Sequence, residues 1–133
     1  MSKQKNIYIT EIDLERLNTI IENMPSNVTE KLEGELARAT IVKSEEIPAS
    51  IVSMNSVVRF KNLESNQESE VQLVYPENAN SDENKISIVA PIGTALLGLS
   101  EGDSINWPTP SGNTTLEIVK VVFQPEAAGR FDL

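Results

Sequence analysis

ISIVAPIGTALLGLSEGDSINW, residues 86–107, is the longest apolar run of the chain and carries its own start and stop signals. Ile86, Ile88 and Ala90 alternate with Ser87 and Val89 at period 2, the pattern of a strand with at least one buried face. Pro91 suits the first turn of a helix, where its missing N–H costs nothing, and Ile92, Ala95, Leu96 and Leu99 then recur at helical spacing. Gly98 or Gly102 stops that helix, and Gly102-Asp103 turns into a second strand in which Ile105 and Trp107 alternate. The run therefore predicts strand, short helix, strand. An apolar block of this kind is first of all a core. Pro91-Ile92-Gly93 also lies where a strand hands over to a helix, and backbone exposed at such a junction is a common place for a partner to touch. Core and docking edge both remain open at this point.

On either side the period stays at 2. Val58 and Phe60 alternate with Arg59 and Lys61, and Val71, Leu73 and Tyr75 alternate with Gln72 and Val74, giving strands with one wet face. The last strand, residues 114–123, opens with Leu116 and Ile118 in one phase and closes with Val119, Val121 and Phe123 in the other, which a bulge or burial on both faces explains. Residues 108–113, PTPSGN, form the hairpin loop that feeds it, and residues 76–84, PENANSDEN, read as a solvated loop. Five strands and one helix in this order predict an α+β module, a mostly antiparallel, twisted sheet wrapped around a short helix.

Before the sheet the period is helical. Thr10 is placed to cap a helix starting at Glu11, with Asp13 in the first turn where negative charge favours the dipole. Leu14, Leu17, Ile20, Ile21 and Met24 form one apolar stripe. Pro25-Ser26-Asn27 breaks it, and Asn27 with Glu30 three places later has the spacing of a capping box for a second helix, whose stripe is Val28, Leu32, Leu36 and Ala39. Gly34 weakens that second arm. Two amphipathic segments so close together predict a short antiparallel helical hairpin with arms of roughly 20 Å. Such a hairpin either packs against the body or projects as a probe into another molecule. Pro48 disfavours helix at Ile47 and marks a boundary, dividing the chain into a hairpin over residues 1–47 and a sheet domain over residues 48–133.

Composition narrows the chemistry. With 133 residues and 39% apolar content the chain can bury a core as one domain or one domain with an appendage. Eleven Lys and Arg against 20 Asp and Glu give a formal charge of −9, which disfavours an electrostatic grip on nucleic acid and favours a partner with basic surface. There is no cysteine and no histidine, so disulfides, thiolate nucleophiles, Cys/His zinc sites and imidazole-based triads are excluded. Nucleotide, hydrolase and zinc motifs are missing as well. The adjacent pairs Glu45-Glu46 and Asp82-Glu83 do not face one another and read as solvated charge. No enzyme activity, cofactor or metal is expected. The start has basic residues without an apolar stretch of signal length, and nowhere do about 18 uncharged apolar residues run together, so a soluble, cytoplasmic protein without membrane association is expected.

Several runs resemble the GreA/GreB family of transcription elongation factors and, within it, the Rnk-type regulators of nucleoside diphosphate kinase. They are Met54-Asn55-Ser56-Val57-Val58-Arg59-Phe60, Leu73-Val74-Tyr75-Pro76, the block from Ala90 to Leu99, Gly102-Asp103-Ser104-Ile105, and the tail Gln124-Pro125-Glu126-Ala127-Ala128-Gly129. The apolar block is shared with Gre factors in general, whereas MNS, LVYP and QPEAAG are similar to the Rnk type. The resemblance implies an N-terminal coiled-coil hairpin joined to an FKBP-like domain, and RNA polymerase as partner. It implies that the globular domain docks at the rim of the polymerase secondary channel through Val89, Ala90, Pro91 and Ile92, with the hairpin tip, Met24 and Ser26, pointing inward.

The chain departs from the cleavage-stimulating Gre pattern at that tip. Residues 23–27 carry no carboxylate to help hold a catalytic magnesium, the nearest being Glu22 and Glu30. The expectation is a polymerase-binding regulator that competes with Gre factors without stimulating transcript cleavage. Two alternatives accompany it. One is action on the level or activity of nucleoside diphosphate kinase. The other is a peptidyl-prolyl isomerase, suggested by the FKBP-like fold, although such sites use an aromatic-lined pocket and one Trp, three Phe and two Tyr are spread along this chain.

Overall fold

The structure, a computed structural model, describes residues 7–109 and 112–130. It opens with strand β1 (Tyr8–Thr10) and helix α1 (Glu11–Glu22). Thr10 caps α1 as expected, its hydroxyl oxygen accepting the Asp13 N–H at 3.0 Å. Helix α2 (Ser26–Arg38) differs in its start from the expected capping box. The Pro25 carbonyl accepts the N–H groups of Val28 and Thr29 at 2.9 and 3.3 Å, so Asn27 already lies inside the first turn and cannot cap it. The buried face of α2 also differs. Val28 is exposed, whereas Thr29 and Leu32 are buried. Thr29 tolerates burial because its hydroxyl donates to Glu33 at 2.8 Å.

After α2 the chain forms β2 (Thr40–Val42), which pairs in parallel with β1 in the register Tyr8↔Thr40 to Thr10↔Val42. Sequence reading did not find this ribbon, because three residues are too few for a period to show. It ties the two ends of the helical hairpin together, and Ile9 within it and Ile7 just before it are almost fully buried.

The remaining strands are β3 (Val57–Asn62), β4 (Glu68–Val74), β5 (Lys85–Ser87), β6 (Ser104–Thr109) and β7 (Gly112–Phe123). They form one sheet in the order β5-β4-β3-β7-β6. Every neighbouring pair is antiparallel except β4 and β5, which run parallel. Of the loop expected at residues 108–113, Pro108↔Asn113 and Thr109↔Gly112 are ladder partners, and residues 110 and 111 lie outside the described residues.

The phase change in β7 is a bulge, and there are two. Against β3 the register skips between Val57/Val58 and again between Arg59/Phe60, so that Val121 opposes Val58 and Ile118 opposes Phe60. Val119 and Val122, which these skips leave without a place in the alternation, are exposed, whereas Ile118 and Val121 are buried. The expected solvated loop at residues 76–84 holds two short 3-10 turns, Pro76–Asn78 and Ser81–Glu83.

The long apolar run folds as strand, helix, strand, with a shorter first strand than its alternation implied. Ile88 N–H still donates to Val74 O at 2.9 Å, but Ala90 N–H turns back onto Ser87 O at 3.0 Å, ending β5. Helix α3 (Pro91–Leu96) follows, and Gly98, at φ +83°, ends it. Leu96, Leu97, Ile88, Met54 and Val58 are buried in the same apolar cluster as Leu17 of α1 and Leu32 of α2, so hairpin and sheet share one core.

Two glycines of opposite character test this packing. A Cβ on Gly93 would lie 2.1 Å from Ser87 O, whereas a Cβ on Gly34 meets nothing within 4 Å. Gly34→Ala is expected to stabilise the fold by about 1 kcal/mol through helix propensity. Gly93→Ala is expected to destabilise it by roughly 3 kcal/mol, because α3 must lift from the end of β5. Urea unfolding midpoints of the two variants should therefore move in opposite directions.

Candidate docking site

The strand-to-helix turn of residues 88–92 is held by hydrogen bonds rather than by charge. Thr94 N–H donates to Ala90 O at 3.0 Å, and the Thr94 hydroxyl reaches back to Ile88 O at 2.6 Å. Val89 N–H is met by the Ser87 hydroxyl at 3.2 Å. Val89, Ala90 and Ile92 are half-buried, Val89 and Ile92 pack against the core, and Pro91 opens α3. The structure thus brings these four residues into one rigid, uncharged turn. Met24 and Ser26 lie elsewhere, at the bend between α1 and α2, with Met24 half-buried and Ser26 exposed.

Because β4 and β5 run parallel, with Val74 opposite Ser87, the residues that follow them, Tyr75-Pro76 and Ile88-Val89, leave the same end of the sheet as neighbours. Beside Tyr75 and Pro76 opens a cleft of about 630 Å³, whose other wall is a stripe of α1 that includes Arg16 and Ile20, continued by Met24 in the bend that follows. Sequence reading placed Met24 at a tip. Its position in the wall of a cleft that also includes Tyr75 required the folded chain.

Behind the cleft lies the residue that sequence reading underrated. Asp13 was expected to serve the helix dipole, yet it is 1% exposed. Its carboxylate accepts the Met54 N–H at 3.1 Å and faces the Tyr75 hydroxyl at 3.5 Å. Burial pushes the Asp13 carboxyl up to about 7; the Met54 N–H opposes this, the charge of Glu126 adds to it, and Arg16 and Thr10 oppose it. Burial, with the nearby Asp13 charge, also raises the Tyr75 phenol above its ordinary range, while Arg16 pulls it down. No period or motif flags Asp13, since its partner is a backbone amide 41 positions away.

The segment just before the MNS run and the QPEAAG run meet at the same seam. The Ser53 hydroxyl donates to Glu126 at 2.7 Å, and the Gln124 side-chain amide donates to the carbonyls of Pro48 and Ile51, both at 2.7 Å. The C-terminal turn therefore fastens the segment that joins hairpin to sheet. Glu45, Glu46, Asp82 and Glu83 are exposed, as solvated charge should be. Among the described residues no group of three or more acidic side chains could hold a metal ion, and no helix is long and apolar enough to cross a membrane.

With this geometry, an α+β fold of three helices and a mainly antiparallel sheet, comparison with known proteins gives the class. The family model for the transcription elongation factor GreA/GreB C-terminal region matches residues 47–123, and that for the Rnk N-terminus matches residues 5–42. The chain belongs to the GreA/GreB family and, by its N-terminal segment, to the Rnk type within it. It is 40% identical over 131 residues to the regulator of nucleoside diphosphate kinase of Escherichia coli (strain K12), covering 94% of this chain and 95% of that one.

Transcription elongation factor GreA of Clostridium novyi (strain NT) is 36% identical over 91 residues, 68% of this chain and 57% of that protein. A solved structure of the prokaryotic transcription elongation factor GreA/GreB from Nitrosomonas europaea superposes with a TM-score of 0.80 at 45% identity, covering 90% of this chain and 100% of that one. These relatives are named as regulators or transcription factors rather than enzymes, and the isomerase alternative finds no support among them.

The buried carboxylate makes stability depend on pH with a definite sign. Its folded pKa of about 7 lies above the ordinary 3.8, so between these values the native state holds a proton that the unfolded chain has released. Asp13 therefore costs stability progressively as pH rises from about 4 to 7, reaching a penalty on the order of 4 kcal/mol above that window. Asp13→Asn can still accept from Met54 N–H and should remove this dependence. Urea midpoints at pH 5 and pH 8 are expected to show the variant gaining on the wild type at the higher pH.

Proposed function

We propose that this protein is a cytoplasmic regulator that binds RNA polymerase at its secondary channel and competes with Gre factors without stimulating transcript cleavage. The observation that carries the reading is the rigid, uncharged turn of Val89, Ala90, Pro91 and Ile92, within the segment matched by the GreA/GreB family model. A preformed apolar edge loses little entropy on docking. In this reading residues 1–47 serve as a short coiled-coil hairpin whose inner face packs on the sheet, and residues 48–133 as an FKBP-like docking domain.

Geometry and chemistry both set the arm apart from a cleavage factor. Helix α1 has 12 residues, roughly 18 Å of length. At its tip, residues 23–27, with Met24 and Ser26 as contacts, carry no carboxylate of their own to help hold a divalent cation near a reacting phosphate, the nearest being Glu22 and Glu30. A second reading rests on the 40% identical Escherichia coli relative and its printed name, regulation of nucleoside diphosphate kinase, and it is compatible with an effect exerted through transcription.

End-labelled nascent RNA in a backtracked polymerase complex tests the reading. The protein alone is expected to leave the RNA intact, and at rising ratios to suppress cleavage by a Gre factor. Shortened RNA with this protein alone would overturn the tip assignment. Ala90→Asp tests the docking edge, because Ala90 is the N-cap of α3, where aspartate is favoured for folding but places a charge on the apolar edge. The variant should keep its melting temperature and lose at least about tenfold in polymerase affinity. Retained affinity would remove Val89, Ala90, Pro91 and Ile92 from the interface.

A further inference from the structure

We infer that Thr94 and Ser87 are positioning residues of the β5–α3 turn, their hydroxyl groups fixing the backbone that presents Val89, Ala90 and Ile92 to the partner. The inference rests on the reading of this turn as the polymerase-docking edge and deepens it by naming the groups that make the edge rigid.

Helix α3 has 6 residues, and Ala90 at its N-cap has no side-chain oxygen with which to cap it. So short a helix does not hold its own entry angle, and an alanine cap leaves that task to other groups. Thr94 supplies one from inside the helix. A helical threonine ordinarily turns its hydroxyl onto the carbonyl four residues back in its own helix. Here the hydroxyl reaches six positions back and donates to Ile88 O at 2.6 Å, tying α3 to the residue that follows β5. Thr94 is 5% exposed, so water does not stand in for the lost donor when the hydroxyl is removed. Its N–H donates to Ala90 O at 3.0 Å and spans the turn a second time.

Ser87 holds the turn from the strand side. Its hydroxyl oxygen accepts the Val89 N–H at 3.2 Å, and its carbonyl accepts the Ala90 N–H at 3.0 Å. Against that carbonyl packs Gly93, where a Cβ would lie 2.1 Å away. The far end of the helix is anchored separately, the Gly98 N–H donating to Val52 O at 2.9 Å. What the two hydroxyls restrain is therefore the backbone of residues 88–90. Without them the apolar side chains keep their identity and lose their fixed presentation, and a partner must order them on binding.

Two substitutions at Thr94 separate hydroxyl from packing. Thr94→Val keeps the β-branched shape and removes the hydroxyl, whereas Thr94→Ser keeps the hydroxyl and removes the methyl group. Amide hydrogen exchange of Ala90 in the free protein and binding of the full-length protein to core RNA polymerase are measured well below the melting midpoint, with circular dichroism as the folding check. Thr94→Val is expected to exchange and to release polymerase about tenfold more readily than wild type, and Thr94→Ser to stay within about twofold in both. Wild-type affinity or wild-type Ala90 exchange in Thr94→Val would overturn the inference, as would equal weakening by the two variants, which is the mark of packing alone. Should Thr94→Val not fold, Ser87→Ala decides at a half-buried position. Binding about threefold weaker supports the inference there, and unchanged binding overturns it. Failure of the wild-type chain to bind polymerase would instead overturn the functional reading, and this inference with it.

Discussion

The Met54 N–H points into the seam between the helical hairpin and the sheet, and its acceptor is Asp13, the one buried carboxylate among the described residues. A buried amide without a partner costs about 1 to 3 kcal/mol, so the hairpin cannot leave the sheet without exposing or orphaning that group. On one side of the seam Leu17 and Leu32 join the core. On the other, Glu126 holds Ser53 and Gln124 holds the carbonyls of Pro48 and Ile51. The segment linking the two parts of the chain is thus fastened from both sides. Of the two fates open to a short amphipathic hairpin, packing against the body is the one this structure adopts.

That seam positions everything proposed for function. Asp13 faces Tyr75, Tyr75 follows β4, and the parallel pairing of β4 with β5 sets Tyr75 beside the start of the turn that leads into α3. A cleft on the hairpin and an apolar turn on the sheet domain therefore share one end of the molecule. Their chemistry is complementary. The turn carries no charge, while the cleft sets apolar Ile20, Met24, Tyr75 and Pro76 between the opposite charges of Arg16 and Glu77.

Much of this was legible in the residues alone. Period 2 gave the strands, helical period gave α1 and α2, Thr10 gave the cap, and the broken phase of the last strand left a bulge or burial on both faces, between which the register with β3 decides for bulges. The absence of histidine, cysteine and nucleotide motifs bounded the chemistry in the same way. What sequence could not give were the relations between distant residues. The β1–β2 ribbon is too short to show a period, and Asn27 loses its capping role to the carbonyl of Pro25. Asp13 shows its worth only against an amide 41 positions away. The cleft exists because α1 lies beside the chain that leaves β4. Local pattern is fixed by covalent spacing and side-chain type, and so the sequence determined the elements. Which buried polar group meets which donor, and which surface stays open, depends on how those elements close over one core, and only the tertiary structure decided that.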